Sequence, residues 1–287
     1  MYVSAPPPLR DRPRSAWRAL GPGLTLTRRQ EYPPDLGRYS DLDRVYFADL
    51  LALHGVPYRD DLLDAGRTTF REMMAGLLDG LRPHHHGYGV AVLASATPDA
   101  EPGWPIPYLT DSAERPGLAF AVSDQGPLAP FTALELIVDI AATDRAGRAL
   151  MVAMDQCARQ HDEAVPDRIA ATRNAAVALV FDGSAPGAAV RVRLSTGVTA
   201  PDVARLLADA GTGTMLPGTM LLGTGLAGRV PGARAAPPGT PCTGPWSLLA
   251  DALTDPGLAR SRLVVADFAE ELGYLGVCVV DPPGTAG

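Results

Sequence analysis

Residues 119 to 142 read AFAVSDQGPLAPFTALELIVDIAA. The short apolar run Leu118 to Val122 predicts a buried strand. Phe131 to Thr143, almost wholly apolar, predicts a buried helix. Between them stands a turn, Ser123-Asp124-Gln125-Gly126-Pro127. A strand that breaks sharply into a helix is a place where enzymes mount a nucleophile. This turn holds no cysteine, and Ser123 precedes it. The corner has the outline of a nucleophile elbow without a nucleophile.

The same alternation of element types runs through the chain. Asp41 to Leu53 has helical spacing, with Leu42, Val45, Tyr46 and Leu50 on one face. Arg67 to Leu81 continues similarly through Phe70, Met73, Met74, Leu77 and Leu78, and Pro83 stops it. Strands are expected at 89 to 95, 148 to 154, 175 to 181, 189 to 195 and 220 to 222. Thr97 to Pro107 reads as loop. Thr199 caps a helix that runs to Ala210, with Pro201 in its first turn. Trp246 to Leu253 is a further helix, and 262 to 268 with 275 to 280 form a closing hairpin. Residues 1 to 35 hold a strand or two and much loop. No short repeat is visible. Short strands that are apolar on both faces, interleaved with helices, predict an α/β protein whose sheets are covered by helices.

Bulk properties exclude several functions. The chain has 287 residues, 46% of them hydrophobic, which suits one large domain or two similar halves. Net charge is -7, with no basic block, so no nucleic-acid footprint is expected. All 25 basic residues other than histidine are Arg. That excludes a lysine Schiff base and a phosphate loop built on lysine. Three widely spaced cysteines, at 157, 242 and 278, form neither a disulfide framework nor a zinc knuckle. No apolar run approaches the roughly 20 residues of a membrane span, and the N-terminus lacks the order of a signal peptide. A soluble, cytoplasmic protein without membrane contact is expected.

In order of elements the chain resembles the thiolase fold and, within it, the ketoacyl synthase III branch. The resemblance covers most of the chain and is carried by four places. AFAVSDQG resembles the strand into the family's nucleophile turn, usually Ala-Cys-Ser-Gly. RNAAVALVFDG resembles the strand after the family's Gly-Asp-Gly-Ala turn. TPCTGPWSLLADAL resembles the segment usually written Gly-Asn-Thr-Ser-Ala-Ala-Ser. RLVVADFAEELGYLGVCVV resembles the last hairpin, commonly Val-Leu-Leu-Val-Gly-Phe-Gly-Ala-Gly-Leu-Thr-Trp-Gly.

The resemblance implies a five-layered αβαβα fold of two related halves, 1–170 and 171–287, and a dimer with the nucleophile-turn strand near its interface. It also implies where a Cys-His-Asn triad would stand, and the triad is degenerate at each place. Gly126, or Pro127 on the alternative count, falls at the Cys. The strand Met220-Leu221-Leu222 runs into Gly223-Thr224-Gly225-Leu226 where the His belongs. Cys242 falls at the Asn. A Gln at the turn, here Gln125, has family precedent in a decarboxylating synthase and in the inactive subunit of a heterodimer.

Three candidate catalytic residues follow. Asp124 reads as a general base or as a cap of the next helix. Gln125 reads as a donor to an acyl carbonyl or as a turn amide. Cys242 reads as an acyl-carrying thiolate or as an inert buried thiol. Gly126, Gly223, Thr224 and Thr243 are the implied substrate-binding positions. Cys157 and Cys278 read as structural. His84, His85 and His86 read as a solvated loop rather than metal ligands, His161 as a surface residue, and His54 as a helix end; no metal is expected. The glycine-rich run 211 to 228 lacks a strict phosphate-loop pattern. Arg28, Arg29 and Arg38 read either as a solvated face or as contacts for a pantetheine phosphate or an acidic carrier protein. No resident cofactor is expected, and coenzyme A or a phosphopantetheine thioester is the implied ligand. The expected function is a ketoacyl synthase-like protein of a specialised polyketide or fatty-acyl pathway. It would bind acyl chains, acyl-CoA or acyl carrier protein as the non-condensing partner of an active synthase. The alternative is an acyltransferase or decarboxylase with a rebuilt site.

Overall fold

Strand Leu118–Val122 lies at the edge of a five-stranded sheet. The structure is a computed structural model, which describes residues 16–21, 23–81, 87–103, 105–112, 117–123, 125–143, 147–159, 161, 165–167, 169–210 and 219–283. Its strands in chain order are β1 (Arg18–Ala19), β2 (Gly23–Tyr32), β3 (Val90–Ser95), β4 (Leu118–Val122), β5 (Arg148–Asp155), β6 (Asn174–Asp182), β7 (Ala189–Thr196), β8 (Met220–Leu222), β9 (Arg234–Ala235), β10 (Leu263–Ala269) and β11 (Tyr274–Asp281). Its helices are α1 (Asp41–Leu53), α2 (Asp60–Asp64), α3 (Phe70–Asp79), α4 (Pro105–Ser112), α5 (Ala129–Ala141), α6 (Ala200–Ala208) and α7 (Gly244–Thr254).

The first sheet has the order β2-β6-β5-β3-β4 and the second β1-β7-β11-β10-β8-β9. In both, a parallel part meets an antiparallel part. The pairs β3–β4, β3–β5, β8–β10 and β8–β9 are parallel, and the others are antiparallel. Sheet membership changes between β6 and β7, so the first sheet draws on the chain as far as Asp182.

Strand alternation builds the layers. In β5, Leu150, Val152 and Met154 pack with α3 and α4, whereas Ala149, Met151 and Ala153 pack with α5 and α7. In β10, Leu263, Val265 and Ala269 face the same α5 and α7 from the other side, and Val264, Ala266 and Phe268 pack with α6. A period of two on sheets buried on both faces leaves no polar side. The result is helix, sheet, helix, sheet, helix, with α5 and α7 in the middle, which is the expected five-layered αβαβα arrangement.

Three local expectations need correction. Helix α1 has the expected bounds, but Leu42, Val45 and Tyr46 are 76%, 59% and 44% exposed, while Asp43, Phe47 and Leu51 are buried. The inward face joins Phe47 and Leu51 to an ion pair between Asp43 and Arg67 at 2.9 Å, and the aliphatic stripe faces outward. Helix α3 starts at Phe70, not Arg67, because Thr69 and Glu72 close a capping box there. Helix α4 begins at Pro105, inside the segment read as loop, and runs beyond it to Ser112. Its prolines disguise it, yet Pro105 opens the helix, where no intrahelical N–H bond is lost.

Candidate functional site

The turn after β4 becomes a single 3-10 turn, Gly126–Leu128, which packs against β10 and β11 before α5 begins. Gly126 has a φ of 54°. That left-handed conformation carries little steric cost for glycine alone. A Cβ at Gly126 would meet nothing within 4 Å among the described residues. Ser123 is exposed. Asp124 lies outside the described residues. The Gln125 carboxamide oxygen accepts a hydrogen bond from the Thr132 hydroxyl on α5, which holds the side chain along the helix.

Cys242 comes to this corner from the far end of the sequence. It is fully buried, and its thiol reaches the Gly126 carbonyl at 3.4 Å. The segment that carries it is anchored by Asp155, the last residue of β5. Asp155 Oδ1 accepts the Cys242 N–H at 3.0 Å, and Oδ2 accepts the Thr243 N–H at 2.7 Å and the Thr243 hydroxyl at 2.6 Å. The anchor sits at the N-terminus of α7, where a carboxylate is favoured. Burial nevertheless pushes Asp155 up to about 6, against the three hydrogen bonds that favour its charged form.

Gly223 follows β8 and enters the 3-10 turn Thr224–Leu226, with Thr224 half-buried. Beside it lies Asp267, on the face of β10 that Val265 and Ala269 turn toward the middle layer. Asp267 is completely buried. Its Oδ1 accepts the Gly225 N–H at 3.0 Å and the Phe268 N–H at 2.8 Å. Its Oδ2 has no partner among the described residues. A Cβ at Gly223 would stand 2.0 Å from that oxygen, so the carboxyl fills the volume that a side chain at 223 would take. Burial pushes Asp267 up to about 7. Burial, reinforced by Asp155 and Asp267, pushes the Cys242 thiol well above its usual range.

The structure thus gathers Gly126, Gly223, Cys242 and Thr243 in one region, with Gln125 at its rim. It adds Asp155 and Asp267, which sequence reasoning missed. Their signal was present: an acid closes the apolar run RALMVAMD, and another interrupts LVVADFA. The other candidates stay apart. Cys157 is half-buried, and its N–H donates to Asn174 Oδ1 at 2.8 Å. Cys278 is buried in β11 and pushed up to about 12 by that burial. His54 caps α1, and His84, His85 and His86 lie outside the described residues. Residues 211 to 218 do too; the rest of that run forms β8 and its turn, with no helix opening behind a phosphate loop. Arg29 pairs with Asp251 at 2.6 Å, Arg38 donates to the Asp64 carbonyl at 3.0 Å, and Arg28 lies against Gly80. These arginines are engaged within the chain and do not converge. Among the described residues, no group of three or more His, Cys, Asp or Glu could hold a metal ion, and no helix is long and apolar enough to cross a membrane.

No protein-family model matches the sequence, and no curated protein matches it. Solved structures match the fold along almost the whole chain. A 3-oxoacyl-(acyl-carrier protein) synthase from Burkholderia xenovorans superposes with a TM-score of 0.61 at 15% identity, covering 94% of this chain and 97% of that one. The 3-oxoacyl-(acyl carrier protein) synthase III of Pseudomonas aeruginosa gives 0.54 at 18% identity, covering 95% of this chain and all of that one. ChlB3, described as an acyltransferase, gives 0.56 at 18% identity, covering 91% of this chain and 98% of that one. The chain has the thiolase-type α/β fold of ketoacyl synthase III.

Proposed function

We propose that the protein is a ketoacyl synthase-like component of a specialised polyketide or fatty-acyl pathway. It binds an acyl chain, as acyl-CoA or on an acyl carrier protein, and serves as the non-condensing partner of an active synthase. The observation that carries this reading is the state of the corner. Gly126 and Gly223 offer no side chain where the resemblance puts the Cys and the His. The one thiol present, Cys242, is fully buried beside two carboxyls that oppose its ionisation. A thiol kept protonated is a poor nucleophile. The named activities of the superposed synthases agree with an acyl thioester as ligand. A dimer, homomeric or with the active sister, belongs to the same proposal.

Intact-protein mass spectrometry tests it, with a panel of acyl-CoAs and acyl carrier proteins, alone and beside a candidate sister synthase. The expected result is no adduct on this chain, acylation of the sister, and co-migration of the two. An acyl adduct mapping to Cys242 would overturn the partner reading.

A second reading, an acyltransferase or decarboxylase with a rebuilt site, is favoured by Asp155 and Asp267. Buried carboxyls held near neutral are suited to proton transfer. Turnover of acyl or malonyl thioesters by the isolated chain, lost in Asp267→Asn, would select this reading.

A further inference from the structure

We propose that helix α1 is a docking surface for a second copy of this chain. The α1 helices of the two copies pack side by side and antiparallel, about a two-fold axis level with the bond between Phe47 and Ala48. The contact is separate from the sheet edge at β4, and it does not depend on the acyl-binding reading above.

The stripe is apolar and outward. Among the described residues seven large hydrophobic side chains are exposed, and five of them, Leu42, Val45, Tyr46, Leu50 and Leu53, stand on α1. Together they show solvent on the order of 500 Å², as much as the largest apolar patch of a typical monomer. The spacing selects a helix as the neighbour. Leu42, Tyr46, Asp49 and Leu53 are separated by four, three and four residues, the seam spacing of paired helices, and Val45 and Leu50 flank that seam on opposite sides. Asp43, Phe47 and Leu51 are buried on the other side of the helix, which leaves the seam facing away from the molecule.

The order of the residues selects the occupant. Positions 42 and 53, 45 and 50, and 46 and 49 lie symmetrically about the middle of the helix, so reversal maps the stripe onto itself. A two-fold contact requires that self-complementarity. In the antiparallel pair Leu42 lies level with Leu53 of the second copy, and Tyr46 with Asp49; each pair occurs twice. The Tyr46 ring is held by an edge contact with Phe47, with centroids 5.3 Å apart. Its hydroxyl donates to the Asp49 carboxylate of the second copy, which has no hydrogen bond or ion pair among the described residues of its own chain. Other occupants fail on charge. A parallel pair would set Asp49 against Asp49. Asp41 and Asp49 are exposed, and Arg44 is committed to Asp60 and Asp64. An acidic carrier protein or an anionic bilayer surface would therefore be repelled. Two such patches bury about 1,000 Å², the lower end for a specific interface, so a dissociation constant on the order of 100 µM is expected.

Sedimentation equilibrium of the full chain tests the contact, from about 1 µM to about 500 µM, a range that brackets that constant. The mass of the species present at the low end, whether monomer or dimer, should rise at least about twofold toward the high end. Leu42→Glu with Leu53→Glu should abolish the rise and leave the low-concentration species and the circular dichroism unchanged. Leu118→Arg with Ala121→Arg, at the β4 edge, should leave the rise intact. Oxidative cross-linking reads the register. Copies carrying Leu42→Cys, mixed with copies carrying Leu53→Cys, should link about tenfold more than either variant alone, because a disulfide forms only between positions that lie level. The proposal is overturned by an absent rise, by a rise that survives Leu42→Glu with Leu53→Glu, or by Leu42→Cys copies that link equally well among themselves.

Discussion

Gly223 and Asp267 compete for one volume, and that competition is measurable. Gly223→Ala would drive a methyl to 2.0 Å from Asp267 Oδ2, so it should cost about 1–3 kcal/mol, as overpacking does. Asp267→Ala in the same chain should recover much of that loss, because the two changes couple through a shared site. Gly126→Ala meets no clash and should lose only about 1–2 kcal/mol, the cost of its left-handed backbone. Urea unfolding of these three variants, with Asp267→Ala alone as the fourth, checks all three values. The buried carboxyls add a pH dependence whose sign is unusual. Asp155 and Asp267 are held up at about 6 and about 7 by burial. When the pH is low enough to protonate both states, neither group changes stability. As pH rises from about 4, the unfolded chain releases these protons first, so stability falls until the pH passes about 7. Asp182 and Asp202 act oppositely. Ser184 and Thr199 respectively hold them below the usual range, so their contribution is lost only in acid. Unfolding midpoints against pH should therefore decline between about pH 4 and pH 7, and Asp267→Asn should flatten the upper part of that decline.

At the scale of elements, helix α1 separates what pattern reveals from what it hides. Its bounds were legible because the spacing is helical, yet its inward face was not. That face contains Asp43, a charged residue whose burial is compensated by Arg67 and by the Ser40 N–H and hydroxyl. A partner distant in sequence cannot be seen from the helix alone. The strands β3, β5 and β6 were legible for the opposite reason: burial on both faces makes them continuous apolar runs. Helix α4 was lost to its prolines. The two faces of α1 should respond differently to mutation. Arg67→Met leaves a buried carboxylate unpaired and should cost about 3–5 kcal/mol. Leu42→Glu with Leu53→Glu, on positions 76% and 82% exposed, should change stability by no more than about 0.5 kcal/mol each. Thermal unfolding of both variants distinguishes the faces.

For the whole molecule, the five layers follow from strands and helices that each name their own neighbours, whereas the site is assembled from ends. Gly126 follows β4, Gly223 follows β8, Cys242 precedes α7, Asp155 ends β5 and Asp267 lies in β10. Resemblance located the first three. The two acids show in the sequence only as breaks in apolar runs; what they hold, the Cys242, Thr243 and Gly225 N–H groups above all, lies in other elements and was not legible. Assembly beyond one chain raises the same question of ends, and the first sheet has an open one. Among the described residues strand β4 pairs only with β3, and it bears Leu118, 46% exposed, and Ala121, also exposed. A strand edge left unpaired among the described residues invites pairing with another strand. If the proposed dimer forms there, the protein, alone or with its sister, should sediment as a dimer. Leu118→Arg with Ala121→Arg should shift it to monomer while the circular dichroism stays unchanged. The Leu42→Glu and Leu53→Glu variant, whose changes lie on α1, should stay dimeric. A dimer that survives the edge substitutions and dissolves with the helix substitutions would instead place the interface on the exposed stripe of α1.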